Sequence, residues 1–583
     1  MPPTFFPASL EYLLLTKGYF PKELPPPFNT RGFGDLIRKD ASAIPALPSR
    51  RKSSLMMFNL ARPGMLRRRL ALPHPREYYA LAKCICDNFT AIDTHIRASP
   101  FSISTPQRTV GNFRAFLPRR RNRAVVDERI AIRKGSRFLV RADINHFYPS
   151  IYTHTIPWAL HSKTVAKEKR NDKTLLGNIL DKGLSTCQHD QTRGIPIGPD
   201  TSFIIGELLL ASVDQRIKSD LASRKHEGLR FYDDFEFGCE SLSDAHAIMN
   251  AITSACAEFE LELSSPKSSI IELPHVLGSP WTRVIDRAVA RVGGVNSLVH
   301  LHDLTIRLSR RFPTESIHKY TIGKMIRQHI RGDVWPIWEQ LLYQICTAEV
   351  GVLPVALIHL KFQERRGRTI NRNMLKSTFE DILERHKKRG HSSEIAWALW
   401  GFKAFSLTLD ARLARSLVDE QDPAVSLMLL GLIGANLVQG GGADAEQAIL
   451  HPLRNMTVPS AKEALISSEW LLVHESLRHG RVQKTAALGK VAHNDDDWSS
   501  WLLTNDVGFF DFDVDAYPAT MFGLRRRRAD DADDEESGGS ETDLDETMRG
   551  GSRDDDDEDG GEDEDEDEDE DSDGENDDDD NPF

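Results

Sequence analysis

Hydrophobic and polar residues alternate on both sides of two adjacent carboxylates, Asp233 and Asp234. The apolar residues of segment 229–237 recur at every second position before and after this pair. A period of two with polar residues at the tip predicts a β-hairpin that presents both carboxylates. Two carboxylates on a rigid hairpin help to bind hard cations when a third one lies nearby. The alternative is a solvated hairpin turn.

A second apolar run ends in the carboxylate of Asp143. Residues 138–142 are mostly apolar and long enough for one buried strand. A charge at the end of a buried strand is costly unless it is paired or bound to a metal. Two strands that end in carboxylates can form an all-oxygen site for two Mg²⁺ ions, a pair that activates an attacking 3′-hydroxyl and stabilises a leaving pyrophosphate.

Glycine and proline residues between these two segments predict a loop at 194–202. The apolar run 203–214 continues as a helix, with Asp200, Thr201 or Ser202 as its N-cap. A glycine-rich turn before a helix lets the backbone approach a nucleotide or a template closely. An ordinary loop-to-helix junction is the alternative.

A helix and a lysine follow the predicted hairpin. Ser241 and Asp244 form a capping box, and apolar residues then recur on one helical face as far as Phe259. Lys267 is of a type that can protonate a departing pyrophosphate. A solvated turn lysine is the alternative.

These segments, in this order, resemble the four sequence motifs of reverse transcriptases. Asp143 with Phe147–Ser150 resembles motif A, and segment 194–202 resembles motif B. Phe231–Asp234 resembles motif C, and Leu261–Lys267 resembles motif D. Because all four occur in the right order, the chain is similar to an RNA-directed DNA polymerase.

The resemblance implies an α+β fold in which a right-hand polymerase palm, built on a ferredoxin-like sheet, carries fingers. Within this palm, Asp143 and Asp233 would bridge two Mg²⁺ ions, with Mn²⁺ as the alternative metal, and Asp234 would complete the cluster. Lys267 matches the motif D lysine and is the candidate general acid. The three aspartates are thus the expected metal ligands, and with Lys267 they form the expected catalytic set.

Two further residues are expected on the nucleotide side of the site. Tyr148, in motif A, matches the steric-gate position, where an aromatic ring excludes a ribose 2′-hydroxyl and favours deoxynucleotides. Gly198, in motif B, is expected next to the nucleotide or the template. Many reverse transcriptases carry Gln before this glycine, whereas this chain has Ile197, which puts ordinary templated fidelity in doubt.

Four segments are similar to the abortive-infection and defence-associated reverse transcriptases of bacteria. This resemblance implies a polymerase followed by an all-α helical-repeat region, with a role in antiphage defence. Some members of that group polymerise DNA without a template or from a protein hydroxyl. The expected activity is therefore a nucleotidyltransferase that adds deoxynucleotides to a 3′-hydroxyl or a protein hydroxyl. The four segments are residues 17–27, 147–160, 194–202 and 393–400.

The expected partners are dNTPs and RNA or DNA, and they extend to a covalently attached DNA product and to a homo-oligomer. Two alternatives are an RNA-synthesising polymerase and a nucleic-acid-binding scaffold with a vestigial palm. Tyr148 argues against the first, and the three aspartates with Lys267 argue against the second. The template, the primer, the product sequence and the phage trigger stay open.

Charge is distributed unevenly along the 583 residues, whose net charge is −13. Segment 529–583 contains 32 Asp and Glu against two Arg, so the other 528 residues carry 72 Lys and Arg against 55 Asp and Glu. Ten of these basic residues fall in segment 113–141, which predicts contact with nucleic-acid phosphates, with a solvated basic face as the alternative. The acidic segment cannot fold and is expected to be a disordered tail, either solubilising or competing with nucleic acid for the basic body.

Helical signals dominate after residue 300. Asp422 precedes Pro423 as an N-cap, and Ser460–Glu463 reads as a capping box. Trp397 and Trp400 are expected in the helical core rather than stacked on bases. The predicted domains are an N-terminal extension (1–90), fingers and palm (91–275), thumb-like helices (276–345), a helical-repeat region (346–528) and the acidic tail (529–583).

The six cysteines show no metal-ligand spacing, which favours a reducing cytoplasm. No signal sequence opens the chain, and no apolar run is long enough to span a bilayer, so no membrane contact is expected.

Overall fold

The computed structural model describes most of the chain, and the acidic tail predicted at 529–583 lies outside the described residues. The described residues are 9–47, 52–109, 114–121, 123–418 and 422–514.

Within the described residues, eight strands form three antiparallel sheets. The first two sheets are two-stranded, β1 with β2 and β3 with β4, and the third has the order β6-β7-β5-β8. The strands are β1 (Met56–Ala61), β2 (Arg67–Leu72), β3 (Pro106–Arg108), β4 (Phe116–Pro118), β5 (Phe138–Asp143), β6 (Glu227–Phe231), β7 (Asp234–Cys239) and β8 (Ser269–Glu272).

The first half of the described chain also contains α-helices, of which the fifth and the eleventh pack against the four-stranded sheet. They are α1 (Leu10–Thr16), α2 (Arg31–Lys39), α3 (Pro75–Asp87), α4 (Phe89–Arg97), α5 (Arg123–Arg133), α6 (Phe147–Ser150), α7 (Thr155–His161), α8 (Lys163–Glu168), α9 (Leu176–Cys187), α10 (Asp200–Asp220) and α11 (Leu242–Glu258).

The four-stranded sheet has the ferredoxin-like connectivity that the resemblance implied. Helix α10 precedes the hairpin β6–β7, and α11 precedes the edge strand β8, so each crossover returns the chain to the sheet beside β5 or β7. Val140 and Phe237 join the main hydrophobic core, whereas Leu139 and Leu229 form a smaller core together with α5 residues. Alternate residues of β5 therefore face opposite sides of the sheet. The order of strands and helices confirms the predicted α+β palm.

From residue 280 onward, the regular elements that the structure describes are all helices. They are α12 (Pro280–Ala290), α13 (Val295–Arg311), α14 (Ile317–Ile326), α15 (Trp335–Ala348), α16 (Leu353–Arg365), α17 (Arg372–His386), α18 (Ser392–Ala404), α19 (Ala411–Ser416), α20 (Pro423–Gly434), α21 (Ala443–Arg454), α22 (Val458–Ala464), α23 (Trp470–Arg478), α24 (Ala487–Asn494) and α25 (Asp497–Thr504).

The helical half has the buried aromatic core expected of it. Trp397 and Trp400 are both buried, and the Trp397 indole N–H donates to the Glu23 carbonyl at 3.1 Å. Asp422 caps α20 as predicted, accepting from the N–H groups of Ala424 and Val425. The all-α character of this half is confirmed. No described helix is apolar over enough residues to cross a membrane.

Two predicted helix caps are wrong. Helix α22 is capped by Thr457, whose hydroxyl accepts from the Ser460 N–H, because Pro459 fits the first turn and starts the helix earlier than the predicted capping box. Helix α10 follows Pro199 without a side-chain cap, and Asp200 turns away to accept from the N–H groups of residues 115 and 116. The cap of α11 at Ser241 is confirmed.

The N-terminal residues pack against both halves of the chain. Asn29 N–H donates to the Phe509 carbonyl at 3.0 Å, and Asp511 N–H donates to the Pro27 carbonyl at 2.8 Å. The hairpin β1–β2 also packs against α18. These contacts join segments that the predicted domain boundaries separate, and the boundaries stay a prediction.

Candidate active site

The hairpin β6–β7 presents its carboxylates as predicted. Phe231 pairs with Asp234, which leaves Tyr232 and Asp233 as the turn. Tyr232 adopts a left-handed φ of 56° there, so the backbone reverses within two residues. In the neighbouring strand pair, Asp143 lies directly opposite Asp234. The sheet therefore brings all three predicted metal ligands to one end.

The motif D segment reaches the same end of the sheet. Ser264 N–H donates to the Asp143 carbonyl at 2.8 Å, so the chain runs beside the last residue of β5. Lys267 Nζ then lies 3.7 Å from Asp143 Oδ2. The four predicted catalytic residues thus meet in one place, although they come from three separate stretches of sequence.

The carboxylates of this cluster disfavour one another's ionisation. Burial, followed by the charge of Asp143, raises the pKa of Asp233 to about 6. Burial and the charges of Asp233 and Asp143 raise the pKa of Asp234 well above its usual value. Lys267 opposes this effect at Asp233 only in part. Clustered carboxylate oxygens with this excess of negative charge fit a divalent hard cation such as Mg²⁺ or Mn²⁺.

A buried arginine fixes the hairpin to the motif B helix. Arg230 of β6 is fully buried, and its guanidinium binds Asp214 at 2.9 Å and Glu207 at 3.0 Å, both on α10. The same group donates to the carbonyl of Tyr232 at 2.6 Å. Since Glu207 and Asp214 are seven residues apart, they lie on one face of the helix, two turns from each other. Arg230 therefore fixes the position of the Tyr232–Asp233 turn relative to α10.

Three serines complete this buried network. Ser102 and Ser104 each donate to Glu207 at 2.8 Å, and Ser99 donates to Asp214 at 2.6 Å. Ser104 Oγ also accepts from the Tyr232 N–H at 2.8 Å. Sequence reasoning missed this network, although charged residues within apolar runs on α10 and β6 were its visible signal.

Tyr148 lies against the motif B helix at a glycine. A Cβ on Gly206 would lie 3.0 Å from Phe147 and 3.4 Å from the Tyr148 ring, so the missing side chain lets both aromatic residues settle on α10. Burial, followed by the charge of Asp233, raises the pKa of the Tyr148 hydroxyl. The half-buried ring of Tyr148 is thus close enough to Asp233 to feel its charge.

Residues 17–29, here called the N-terminal wall, cover the motif B loop. Gly198 has a left-handed φ of 123°, and a Cβ there would lie 2.4 Å from Pro21. Asp200 N–H donates to the Gly18 carbonyl at 2.7 Å. Strand β2 adds a contact beyond the wall, since Ala71 N–H donates to the Ile197 carbonyl at 2.9 Å. The sequence showed no signal for this long-range packing.

Replacing Gly198 with alanine should displace the N-terminal wall and distort the motif B loop. The strained φ and the clash with Pro21 are expected to lower the free energy of unfolding by about 1–3 kcal/mol. Urea unfolding measures this loss. Gly278→Ala is the matched control, because a Cβ at Gly278 meets no atom within 4 Å, and its effect should stay within about 0.5 kcal/mol. Equal losses for the two variants would contradict the role given to Gly198.

The basic segment 113–141 has a partly internal use. Arg114 forms a buried ion pair with Asp200, and Arg129 binds Glu236 at 2.6 Å with both side chains buried. These arginines compensate buried carboxylates and are not available to phosphates. Arg123, whose side chain is 93% exposed, represents the part of the segment for which phosphate contact stays a prediction.

Residues 83–285 match the family model described as reverse transcriptase (RNA-dependent DNA polymerase). No curated protein matches the chain. Solved structures that match include the telomerase of Candida albicans with a fragment of telomeric RNA, at 10% identity and a TM-score of 0.28, covering 62% of this chain and 67% of that one. The apo telomerase of Candida tropicalis matches at 10% identity and a TM-score of 0.31, covering 68% and 71%.

Residues 83–285 therefore match a reverse transcriptase domain, and they have a palm-type fold. The matched residues include motifs A to D and the whole four-stranded sheet.

Proposed function

We propose that the protein is a DNA polymerase that transfers deoxynucleotides to a 3′-hydroxyl, or to a hydroxyl of a protein, with the help of two Mg²⁺ ions. One observation carries this proposal: Asp143, Asp233 and Asp234 converge at one end of the sheet, with Lys267 Nζ 3.7 Å from Asp143.

The side chains divide the work of nucleotide transfer. Asp143 and Asp233 would hold the ions, which activate the attacking hydroxyl and stabilise the leaving pyrophosphate. Asp234, opposite Asp143, completes the negative cluster that attracts them. Lys267 would donate a proton to the pyrophosphate as it departs. The buried Arg230 network keeps the turn rigid, so the carboxylates are in place before substrate arrives.

The test is incorporation of labelled dNTPs with Mg²⁺, comparing the parent protein with Asp143→Asn. Asp303→Asn is the matched control, because Asp303 lies on α13 with a 62% exposed side chain. We expect the control to keep the parent activity and Asp143→Asn to lose about 100-fold or more. Equal incorporation by all three proteins would contradict the proposal. Sequencing the product, before and after protease digestion, identifies template and primer.

Replacing Tyr148 with alanine should relax the choice of sugar. The ring is expected to press where a ribose 2′-hydroxyl would lie, so its removal should raise ribonucleotide relative to deoxynucleotide incorporation about tenfold or more. The ratio of the two kcat/KM values measures this change. Phe at position 148 keeps the ring and should keep the parent selectivity. A parent protein that prefers ribonucleotides would instead favour an RNA-synthesising polymerase.

The proposed biological role is antiphage defence in the cytoplasm. Its support is the similarity of four segments to defence-associated reverse transcriptases. The sparse spacing of the six cysteines in the sequence is consistent with a reducing compartment. Plaque assays on cells that carry the parent gene should show fewer plaques than assays with Asp143→Asn. Equal plaque counts would separate the polymerase activity from defence.

A further inference from the structure

The clearest unexplained cluster of side chains lies where β1–β2 meets the helical half. Asn59 Nδ2 donates to the Gly390 carbonyl at 2.8 Å, and Ala61 N–H donates to Ser393 Oγ at 2.8 Å. Arg67 of β2 binds Glu394 of α18. These contacts join residues more than 300 positions apart and surround a pair of histidines.

Three ligand atoms converge at this junction. His386 is the last residue of α17, His391 immediately precedes α18, and Glu394 lies in the first turn of α18. The two Nδ1 atoms are 2.7 Å apart. Glu394 Oε1 lies 3.2 Å from His391 Nδ1 and 3.7 Å from His386 Nδ1. All three atoms belong to groups that bind metals in proteins.

Two imidazole nitrogens and a carboxylate oxygen that point at one another repel unless a cation lies between them. A single proton can bridge two of these atoms, whereas a metal ion satisfies all three. Burial lowers the pKa of both histidines. The carboxylate of Glu394 is 3% exposed, and although burial raises its pKa, the hydrogen bond and charge of Arg67 lower it below its usual value.

We propose that His386, His391 and Glu394 bind a transition-metal ion, Zn²⁺ in the cell, at the junction of β1–β2 with α18. Two imidazoles and one carboxylate suit Zn²⁺ and its neighbours better than Mg²⁺, which prefers oxygen alone. The three protein ligands leave a fourth tetrahedral position for water, and His391, with 23% of its side chain exposed, gives access from solvent.

The surroundings of Glu394 match those of a metal-binding carboxylate. Arg67 Nη2 donates to Oε2 at 3.0 Å, and Ser393 Oγ donates to the same oxygen at 2.7 Å. Arg67 Nη1 also donates to Oε1, so a metal ion would share this oxygen with the guanidinium. These bonds hold the carboxylate with Oε1 towards the histidines, as outer-shell partners do in metal sites. The Arg67 charge weakens cation binding, so the imidazole ligands supply most of the selectivity. The ion would thereby tie the end of α17 to the start of α18 and, through Arg67, to the hairpin.

Metal content of the full chain, measured by mass spectrometry after purification without chelator, tests this site. The carboxylates of the active site and the acidic tail also attract divalent ions, so all proteins carry Asp233→Asn and keep the tail. In this parent, His391→Ala should remove one retained Zn²⁺ per chain. His318→Ala is the matched control, because His318 also pairs with a carboxylate, Glu349, at 2.6 Å, with no third ligand among the described residues. The control should retain its Zn²⁺.

Cobalt gives a second measurement that needs no further variant. Co²⁺ added to the same parent should produce the intense visible absorption of a tetrahedral nitrogen and oxygen site, which an octahedral carboxylate site lacks. Excess Zn²⁺ should abolish this absorption and raise the thermal midpoint of the parent and of His318→Ala, but not of His391→Ala. No cobalt band, or equal Zn²⁺ in all three proteins, would leave only a hydrogen-bonded histidine pair and overturn the proposal.

Discussion

Replacing Asp233 with asparagine should lower nucleotide incorporation by about three orders of magnitude while making the metal-free protein more stable. Activity should fall because the amide cannot replace a carboxylate that would hold a metal ion at the turn of β6–β7. Stability should rise because burial and the charge of Asp143, which raise the pKa of Asp233 to about 6, make its ionised carboxylate destabilise the metal-free folded state. One substitution thus separates what this residue does for catalysis from what it costs the fold.

The stability gain has a defined pH dependence. A carboxyl whose pKa is raised in the folded state destabilises that state when it is ionised at pH 7. This destabilisation disappears as the pH falls from about 6 to about 4, where the carboxyl is protonated in the folded protein. At pH 7 and without metal, Asp233→Asn should gain on the order of 2 kcal/mol in the free energy of unfolding. The gain should shrink towards pH 4. Urea unfolding at both pH values measures it.

Asp303→Asn is again the control, with no expected change in activity or stability. Adding Mg²⁺ should raise the stability of the parent protein and narrow its difference from Asp233→Asn, because the ions neutralise the cluster. A variant that keeps parent activity, or that loses stability at pH 7, would contradict the place given to Asp233.

Arg230→Met should be the most destabilising substitution in the palm. It leaves the buried carboxylates of Glu207 and Asp214 without their cation, which is expected to cost about 3–5 kcal/mol in the free energy of unfolding. It also removes the donor to the Tyr232 carbonyl, so the catalytic turn should loosen. Denaturant unfolding measures the first effect, and kcat under saturating dNTP measures the second.

Arg137→Met is the matched control, since Arg137 pairs with Glu272 at 3.8 Å and both side chains are exposed. Its effect should stay within about 0.5 kcal/mol. Adding Glu207→Gln and Asp214→Asn to Arg230→Met should recover part of the lost stability, because the stranded charges disappear. A triple variant no more stable than Arg230→Met would show that the charges are not the cause.

Local patterns were sufficient to predict where the candidate metal ligands lie on the strands. Asp143 at a strand end and Asp233 at a hairpin tip follow from alternation over fewer than ten residues, and the sheet does form there. Lys267 required only the order of motifs. These features depend on neighbours in sequence, so the sequence alone contains them.

Features that depend on distant packing were not predictable in this way. Asp200 was one of three residues expected to cap α10, yet Arg114 from another segment engages its carboxylate. The contact of Gly198 with Pro21 joins residues 177 positions apart, and no local pattern announces it. His386, His391 and Glu394, by contrast, fall within nine residues of sequence, and their convergence was missed because it depends on the turn between α17 and α18.

The pairing of residues 27–29 with residues 509–511 determines when, during synthesis, the N-terminal wall can be completed. When the ribosome has just made residue 285, the three aspartates and Lys267 have been synthesised. The segment 509–511 that pairs with the N-terminal wall has not. At about 5–20 residues per second, residue 511 follows roughly 10 to 50 s later. During this interval the nascent chain contains all three carboxylates, while residues 27–29 still lack their contacts with residues 509–511. The contact that completes the N-terminal wall therefore forms only after the helical half has been synthesised.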